Sequence, residues 1–190
     1  MTVVRQTGPT LFDDNCAICH GSDAGGQAGK GFPSLTDAAW LWGGSPEAVA
    51  ETIRVGINAQ HDETRVSGML AFGRDQMLDR ESILKVVAYV RSLSQPEVAK
   101  SAGTETVAAG EEIFAENCSA CHGEDAKGSI DMGAPNLTDG FWIYGGDEDS
   151  VFATVWGGRT GHMPAWEARL SPVQRKILAL YVLDLNERNR

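Results

Sequence analysis

Two pentapeptides of the form Cys-x-x-Cys-His contain all four cysteines of the 190-residue chain: Cys-Ala-Ile-Cys-His at 16–20 and Cys-Ser-Ala-Cys-His at 118–122. Two thiols at this spacing can form thioethers to the two vinyl groups of one porphyrin, and the histidine that follows can bind the iron as the proximal ligand. A redox dithiol or half of a zinc site would leave the histidine and the repetition unexplained. The sequence therefore predicts two covalently bound haem c groups. The predicted sites of covalent attachment are the thiols of Cys16, Cys19, Cys118 and Cys121, and the predicted proximal iron ligands are the imidazoles of His20 and His122.

The motifs belong to a longer internal repeat. Cys16 and Cys118 lie 102 positions apart, and at the same offset Phe-Pro-Ser-Leu-Thr-Asp (32–37) aligns with Ala-Pro-Asn-Leu-Thr-Asp (134–139). Self-similarity of this kind indicates a duplicated domain. Further along, the offset falls to 94, the distance between Met69 and Met163, so the first half has eight more residues around 58–67.

Helical signals dominate each half, and strand signals are weak. Three helices are predicted in each, at 9–17, 46–56 and 79–93 in the first half and at 107–120, 147–157 and 171–187 in the second. Gly8 and Gly110 are expected to let the first and last helices of each half cross closely, with Tyr89 and Tyr181 packing there. We therefore expect an all-α protein of two tandem class I cytochrome c domains, each built round one haem. The predicted boundaries are 1–93 for the first domain, 94–104 for a polar linker broken by Pro96 and Gly103, and 105–190 for the second domain.

The second axial ligand of each iron decides the chemistry, because a second strong ligand closes the iron and favours electron transfer over binding of gas or peroxide. Met163 follows a glycine-rich segment and precedes Pro164 and the last helix, where a loop can pass over the distal face of a haem. Met69 occupies the same place in the first half. The repeat thus predicts Met69 and Met163 as the distal ligands, each in its own half.

Some alternatives stay open at this point. His61, in the extra loop of the first half, is the chief rival of Met69, and His162 adjoins Met163. Arg54, Arg74 and Arg159 could pair with haem propionates or be ordinary surface residues. No nucleophile with a base, acid and base carboxylate pair or phosphate-binding loop is recognisable, so no catalytic site is expected in the chain itself.

Charge and hydropathy restrict the partners. The net charge is −10, which disfavours nucleic acid and suits either a basic electron carrier or simple solubility. No apolar run of membrane-spanning length and no export signal is visible, although covalent haem attachment of this type takes place outside the bacterial cytoplasmic membrane. We therefore expect that an N-terminal segment is missing.

Several blocks outside the haem motifs resemble one family. These are Lys-Gly-Phe-Pro-Ser-Leu-Thr-Asp (30–37), Trp-Leu-Trp-Gly-Gly (40–44), Glu-Thr-Ile-Arg-Val-Gly-Ile (51–57), Met-Leu-Ala-Phe-Gly-Arg-Asp (69–75) and Gly-Arg-Thr-Gly-His-Met-Pro-Ala-Trp (158–166). Together they look like the dihaem CcoP or FixP subunit of cbb3-type cytochrome c oxidases, over nearly the whole chain. Leu70 departs from the family, which usually has a proline there, so the first haem loop is expected to be less stiff.

The resemblance implies a cytochrome on the periplasmic side of the bacterial inner membrane, held by an N-terminal anchor that this chain lacks. It implies electron transfer towards the oxygen-reducing subunit, with the catalytic and monohaem subunits and a cytochrome c-type donor as partners, and Met69 and Met163 as distal ligands. The alternatives are a freestanding dihaem carrier and a peroxidase or gas sensor with one open haem.

Overall fold

The computed structural model of the chain describes residues 1–188; Asn189 and Arg190, the last two residues of the predicted second domain, lie outside the described residues. Across residues 1–188 the chain forms nine α-helices: α1 (Thr2–Asn15), α2 (Ala17–His20), α3 (Pro46–Val55), α4 (Arg80–Ser92), α5 (Pro96–Ala102), α6 (Thr104–Asn117), α7 (Ser119–His122), α8 (Glu148–Gly157) and α9 (Pro172–Arg188). Among residues 1–188, backbone pairing between extended segments is limited to isolated β-bridges. The all-α fold is confirmed.

Side-chain caps fix where the longer helices begin. The Ser45 hydroxyl accepts a hydrogen bond from the Ala48 amide (3.1 Å), and Pro46 takes the first position of α3, where its missing N–H costs nothing. Asp79 and Asp147 cap α4 and α8 in the same way. Ser171 begins α9 through the expected capping box.

Two segments are more helical than the sequence predicts. Helix α1 begins at Thr2 and passes through Pro9, because Val4, Gly8 and Phe12 recur every four residues and are all buried on one face. The segment expected to be a linker contains α5, whose Val98 is buried. Burial of this apolar residue explains why the polar composition around it was a poor guide.

The compact units of the structure differ from the two predicted domains. Unit 1 consists of residues 1–67 together with the chain from Gly161 onward, and unit 2 consists of Gly68–Thr160. The predicted boundary at 94–104 therefore falls inside unit 2. The reason lies in the helix packing, because α9 packs against α1 and α3, whereas α4 packs against α6 and α8. The helix that ends each half of the sequence therefore packs in the unit that contains the first helix of the other half.

Each unit has one hydrophobic core. The core of unit 1 is formed by buried residues of α1, α3 and α9 and of the segment before α9: Phe12, Val49, Ile53, Trp166, Leu170, Leu178, Ala179 and Val182, with Ala24. The core of unit 2 is the counterpart: Phe72, Ile83, Val86, Val87, Val90, Phe114, Val151 and Val155, with Ala126. Within residues 1–188, no helix combines the length and the apolar content that crossing a bilayer requires.

The predicted close helix crossings are present, but with exchanged partners. A Cβ at Gly8 in α1 would lie 2.7 Å from the ring of Tyr181 in α9, and a Cβ at Gly110 in α6 would lie 2.1 Å from the carbonyl oxygen of Lys85 in α4. The aromatic pairs follow the same exchange: Phe12 contacts Tyr181 (5.8 Å between ring centroids), and Phe114 contacts Tyr89 (5.4 Å).

Candidate haem-binding sites

Each Cys-x-x-Cys-His motif forms a single helical turn at the end of a core helix. The Cys16 amide bonds to the carbonyl of Phe12 (2.7 Å) as α1 ends, and the His20 amide bonds to the Cys16 carbonyl (3.0 Å). The same two bonds recur at Cys118 (2.8 Å) and His122 (3.0 Å). In such a turn the residues at i, i+3 and i+4 share one face. Both thiols and the imidazole of each motif therefore come from one side of the turn, as attachment of a single porphyrin requires.

The motif histidines have one ring nitrogen held and the other left for a ligand. Nδ1 of His20 lies 3.0 Å from the Pro33 carbonyl oxygen, and Nδ1 of His122 lies 3.1 Å from that of Pro135. Because a carbonyl can only accept, Nδ1 must carry the proton, which leaves the Nε2 lone pair for a metal. Burial lowers the pKa of both imidazoles, which favours the neutral form that an iron ligand needs.

The carbonyl that orients each histidine belongs to a tight loop that sequence reasoning did not single out. Gly26 adopts φ +76°, and a Cβ there would lie 2.6 Å from the Phe32 carbonyl oxygen; at Gly128, with φ +80°, the corresponding distance to Ala134 is 2.3 Å. Only glycine permits this approach. The repeated Pro-x-Leu-Thr-Asp blocks at 33–37 and 135–139 were the available signal, since they place the two carbonyls in equivalent positions.

The cysteines do not have the properties of a redox dithiol. Burial, with a smaller contribution from the neighbouring Cys19 and Cys121, raises the pKa of the Cys16 and Cys118 thiols to about 11. Reactive Cys-x-x-Cys pairs depend on a lowered thiol pKa, because the thiolate is the nucleophile. Within residues 1–188, no three His, Cys, Asp or Glu side chains are grouped as a metal site. The set of two thiols with one oriented imidazole fits a c-type haem in both units.

The two candidate distal methionines lie in different units from those expected. Met163 packs with Cys16 against the core of unit 1, which contains Phe12. Met69 packs with Cys118 against the core of unit 2, which contains Phe114. Each methionine thus shares a core with the haem motif of the other half of the sequence.

The rival histidines are otherwise engaged or exposed. Nδ1 of His61 accepts a hydrogen bond from the Glu63 amide (3.0 Å), so Nε2 carries the proton and donates to the Glu167 carboxylate (2.8 Å). His162 is exposed to solvent. Neither arrangement offers a free, buried imidazole nitrogen.

The three arginines that could pair with haem propionates have different partners in the structure. Arg54 is held by carboxylates: it bonds to Glu51 (2.7 Å), Glu63 (2.6 Å) and Glu167 (3.2 Å), and the bonds to Glu51 and Glu63 raise its pKa. Arg74 is largely exposed and pairs with its neighbour Asp75. These contacts indicate structural or surface roles for both.

Arg159 has a counterpart that sequence reasoning missed. The Arg159 guanidinium lies over Tyr144 (4.1 Å to the ring centroid), and its Nε donates to the Thr154 hydroxyl (3.0 Å). In unit 1, Arg65 makes the equivalent contacts: it lies over the ring of Trp42 (5.0 Å), and its Nε donates to the Thr52 hydroxyl (2.9 Å). The offset of 94 that relates Met69 to Met163 also relates Arg65 to Arg159, and this was the signal available.

Comparison with known proteins identifies two cytochrome c domains. A family model described as "Cytochrome C oxidase, cbb3-type, subunit III" matches residues 105–182, and a "Cytochrome c" model matches residues 6–94. The FixP subunit of a cbb3-type cytochrome c oxidase from Bradyrhizobium sp. (strain ORS 278) is 49% identical over 185 residues, which are 97% of this chain and 62% of the relative. This chain belongs to the FixP/CcoP family.

Other members of the FixP/CcoP family give the same result. The CcoP subunit from Azospirillum brasilense is 45% identical over 94% of this chain and 61% of its own length. A CcoP subunit from Rhodobacter capsulatus is 43% identical over 97% of this chain and 63% of its own length. The chain thus spans about three fifths of the length of the relatives it matches, and its cytochrome c domains imply binding of haem c.

Proposed function

We propose that this chain is a dihaem electron-transfer module of a cbb3-type terminal oxidase. The observation that carries the proposal is that both Cys-x-x-Cys-His turns have a histidine whose Nδ1 is held by a backbone carbonyl, at 3.0 Å in unit 1 and 3.1 Å in unit 2. One haem c is assigned to Cys16, Cys19 and His20, and a second to Cys118, Cys121 and His122.

The residues around each site would tether the porphyrin, orient the histidine and supply a second ligand to the iron. Bound haem c supplies a ferric/ferrous couple that takes and gives one electron. The cysteine pair fixes the porphyrin covalently, and the proximal imidazole presents Nε2 because Nδ1 is held. Met69 and Met163 would provide thioether sulfur as the second iron ligands. With methionine as a second iron ligand, oxygen or peroxide would find no open site, so the chain itself would carry out no substrate chemistry and oxygen reduction would belong to a partner subunit.

The partners follow from the family and from charge. The relatives in Bradyrhizobium and Azospirillum are named as oxidase subunits, so we assign the catalytic and monohaem subunits of such an oxidase as acceptor-side partners. The net charge of −10 favours encounter with a basic c-type cytochrome as the donor. The location that fits is the periplasmic side of the bacterial inner membrane.

Ferric spectra test the distal ligands. In fully haem-loaded protein, Met69→Ala and Met163→Ala should each remove half of the long-wavelength absorption that arises from methionine-to-iron charge transfer. Met77→Ala is the matched control, because Met77 is 50% exposed and should leave the band unchanged. Retention of the full band in either ligand variant would refute that assignment, and rapid stoichiometric binding of carbon monoxide to the reduced wild type would favour an open sensor or peroxidase site.

A chimera tests the assignment to the oxidase. This chain would replace the matching region of the Bradyrhizobium FixP subunit, and oxygen consumption by the assembled oxidase would be measured with reduced cytochrome c as donor. We expect consumption near that of the native oxidase, and its loss when Cys118 and Cys121 are both changed to Ala. A chimera that assembles and carries both haems, yet consumes no oxygen, would contradict the proposal.

A further inference from the structure

Each of the two equivalent arginines, Arg65 and Arg159, is held through the Nε atom of its guanidinium and by an aromatic ring. Nε of Arg159 donates to the Thr154 hydroxyl (3.0 Å), and the guanidinium lies 4.1 Å from the centroid of the Tyr144 ring. Arg65 makes the equivalent two contacts in unit 1. These contacts fix the position of the charge, and they leave the N–H groups of the terminal nitrogens, Nη1 and Nη2, for other acceptors.

The terminal nitrogens of both arginines lack a carboxylate partner. The arginines that form ion pairs within residues 1–188 are Arg5, Arg54, Arg74, Arg91, Arg175 and Arg188. Within the same range Arg65 and Arg159 form none, although the sequence has 26 acidic and 16 basic residues. Glu51, whose pKa is lowered by its bond to Arg54 and also by the charge of Arg65, is bound by Arg54 (2.7 Å). Nη2 of Arg65 has only a long bond to the Ala48 carbonyl (3.3 Å).

Solvent exposure separates these two arginines from two others that also lie over aromatic rings without an ion pair. Arg80 in unit 2 and Arg169 in unit 1 lie 5.3 and 4.5 Å from a ring centroid, but both are exposed, so water can hydrate their charge. Arg65 and Arg159 are half-buried. Because a charge that is partly removed from water needs a compensating partner, their free terminal nitrogens indicate an anionic ligand.

The ring beneath each arginine belongs to a short aromatic segment beside a haem-binding turn. In unit 1 this segment also contains Trp40, which packs against the same core as Cys16. In unit 2 it begins with Trp142, which packs against the same core as Cys118. Each arginine is thus held near the predicted site of one haem c. The anionic groups of haem c are its propionates.

We propose that Arg65 and Arg159 bind haem propionates, Arg65 at the site of Cys16–His20 and Arg159 at the site of Cys118–His122. The inference rests on the proposed dihaem function and adds an anion-binding residue to each site. A guanidinium fits a carboxylate through two parallel N–H bonds. In unit 2 both terminal nitrogens are available for such a pair, whereas in unit 1 Nη2 is shared with a backbone carbonyl. The propionate is therefore held more firmly at Arg159 than at Arg65.

The charge of each arginine raises the reduction potential of the haem in its own unit. An ionised propionate stabilises ferric iron, because its negative charge attracts the additional positive charge of the oxidised state, and a paired guanidinium offsets that effect. Replacing the arginine by glutamine should therefore lower the potential of one haem. The fall should be larger for Arg159→Gln than for Arg65→Gln, since Arg159 has both terminal nitrogens free for the carboxylate.

Spectroelectrochemical titration of the haem-loaded protein tests the assignment. We expect two one-electron transitions in the wild type, with Arg65→Gln lowering one and Arg159→Gln lowering the other. Arg169→Gln and Arg80→Gln are the matched controls, because each removes an exposed arginine that lies over an aromatic ring in the same unit. Shifts no larger than those of the controls, or a fall in the same transition for both variants, would overturn the inference. Fewer than two transitions in the wild type would instead overturn the dihaem function.

Nuclear Overhauser contacts in the ferrous, haem-loaded wild type give a second readout that needs no substitution. We expect contacts from the side-chain protons of Arg65 and Arg159 to the propionate methylene protons of the haem in their own unit, and none from the exposed Arg80 and Arg169. A guanidinium can change a potential through its charge at a distance, whereas these contacts require that it lie against the propionate. Absence of the contacts at both arginines would overturn the inference whatever the potentials show.

Discussion

At the scale of single residues, the backbone at Met163 and at Met69 lies against a glycine that no other residue type can replace. Gly56 and Gly158 combine a left-handed φ of +68° with an extended ψ, a combination that is essentially restricted to glycine. Each also lies against a backbone carbonyl, which cannot move away as a flexible side chain could. Both the conformation and the contact therefore oppose a Cβ.

We predict that Gly56→Ala lowers the free energy of unfolding by at least about 2 kcal/mol, from backbone strain and from the clash with Met163. The same change should weaken the charge-transfer absorption contributed by Met163. Gly103→Ala is the matched control, because Gly103 also has positive φ (+86°) but no atom within 4 Å of its Cβ position. Equal losses in the two variants, measured by denaturant unfolding, would show that the contact contributes nothing.

Asp184 is a buried carboxylate whose charge should affect stability. It is 4% exposed in α9 and forms ion pairs with Arg5 (2.9 Å) and Arg188 (3.0 Å). The bond to Arg5, followed by the charges of Arg188 and Arg5, holds the pKa of Asp184 below its ordinary value of 3.8. A carboxyl with a lowered pKa in the folded state stabilises the fold above its unfolded value, and this contribution is lost as the pH falls through the folded pKa.

Asp184→Asn should therefore lower the stability of the protein at neutral pH, and the difference from the wild type should shrink as the pH falls below 3.8. Comparing the two proteins removes the acid sensitivity that haem ligation contributes to both. Asp75→Asn is a suitable control, since the Arg74–Asp75 pair is 67% and 51% exposed and such pairs contribute little. A difference that stays constant down to about pH 2 would contradict a role for the Asp184 charge.

At the scale of helices, the same kind of helix crossing occurs in both units, but the two crossings differ in how well they tolerate an added Cβ atom at the glycine. In unit 2 the Cβ position of Gly110 in α6 meets the Lys85 carbonyl of α4, whereas in unit 1 that of Gly8 in α1 meets only the Tyr181 side chain. Backbone against backbone sets the distance between two helix axes, and both helices must move apart if an atom is added.

We expect Gly110→Ala to lower the free energy of unfolding by about 1–3 kcal/mol through overpacking, despite the roughly 0.5–1 kcal/mol by which alanine favours a helix over glycine. The control is Gly157→Ala at the end of α8, where no atom lies within 4 Å of the Cβ position and alanine should be neutral or slightly stabilising. Denaturation followed by helical circular dichroism measures both. A Gly110→Ala protein as stable as the wild type would mean that α4 and α6 do not cross there.

At the scale of the whole molecule, each compact unit needs both repeats. Unit 1 is assembled from two stretches far apart in the sequence, while unit 2 is one continuous stretch that carries the last helix of the first repeat beside the first helices of the second. Long-range packing of this kind makes the two repeats dependent on each other, because neither has its own last helix in place.

Hydrogen exchange can detect that dependence through two substitutions that each create a cavity, one in each unit. Leu178 in α9 and Ile83 in α4 are both 0% exposed, so each change to alanine should cost about 2–5 kcal/mol. We predict that Leu178→Ala lowers amide protection in α1 and α3, and that Ile83→Ala lowers it in α6 and α8. The two variants control for each other, and loss of protection confined to the mutated half of the sequence would contradict the observed units.

Local chemistry and periodicity were enough to predict much of the protein. The haem motifs, the helices with their caps at Ser45, Asp79, Asp147 and Ser171, and the close approach at Gly8 and Gly110 depend on neighbours within a few residues or on repeated spacing. The family resemblance depends on the same local blocks. All of these features depend on short stretches of sequence.

Only the tertiary structure decided which repeat completes which unit. Tyr89 and Tyr181 occupy equivalent places, as do Met69 and Met163, so the residue types favour exchanged and unexchanged packing almost equally. The choice depends on the path of two short segments, from Arg65 to Met69 and from Arg159 to Met163, and on the backbone pairs they form with Ile57 and Arg159. Such pairs join residues about one hundred positions apart, and no pattern within either repeat specifies them.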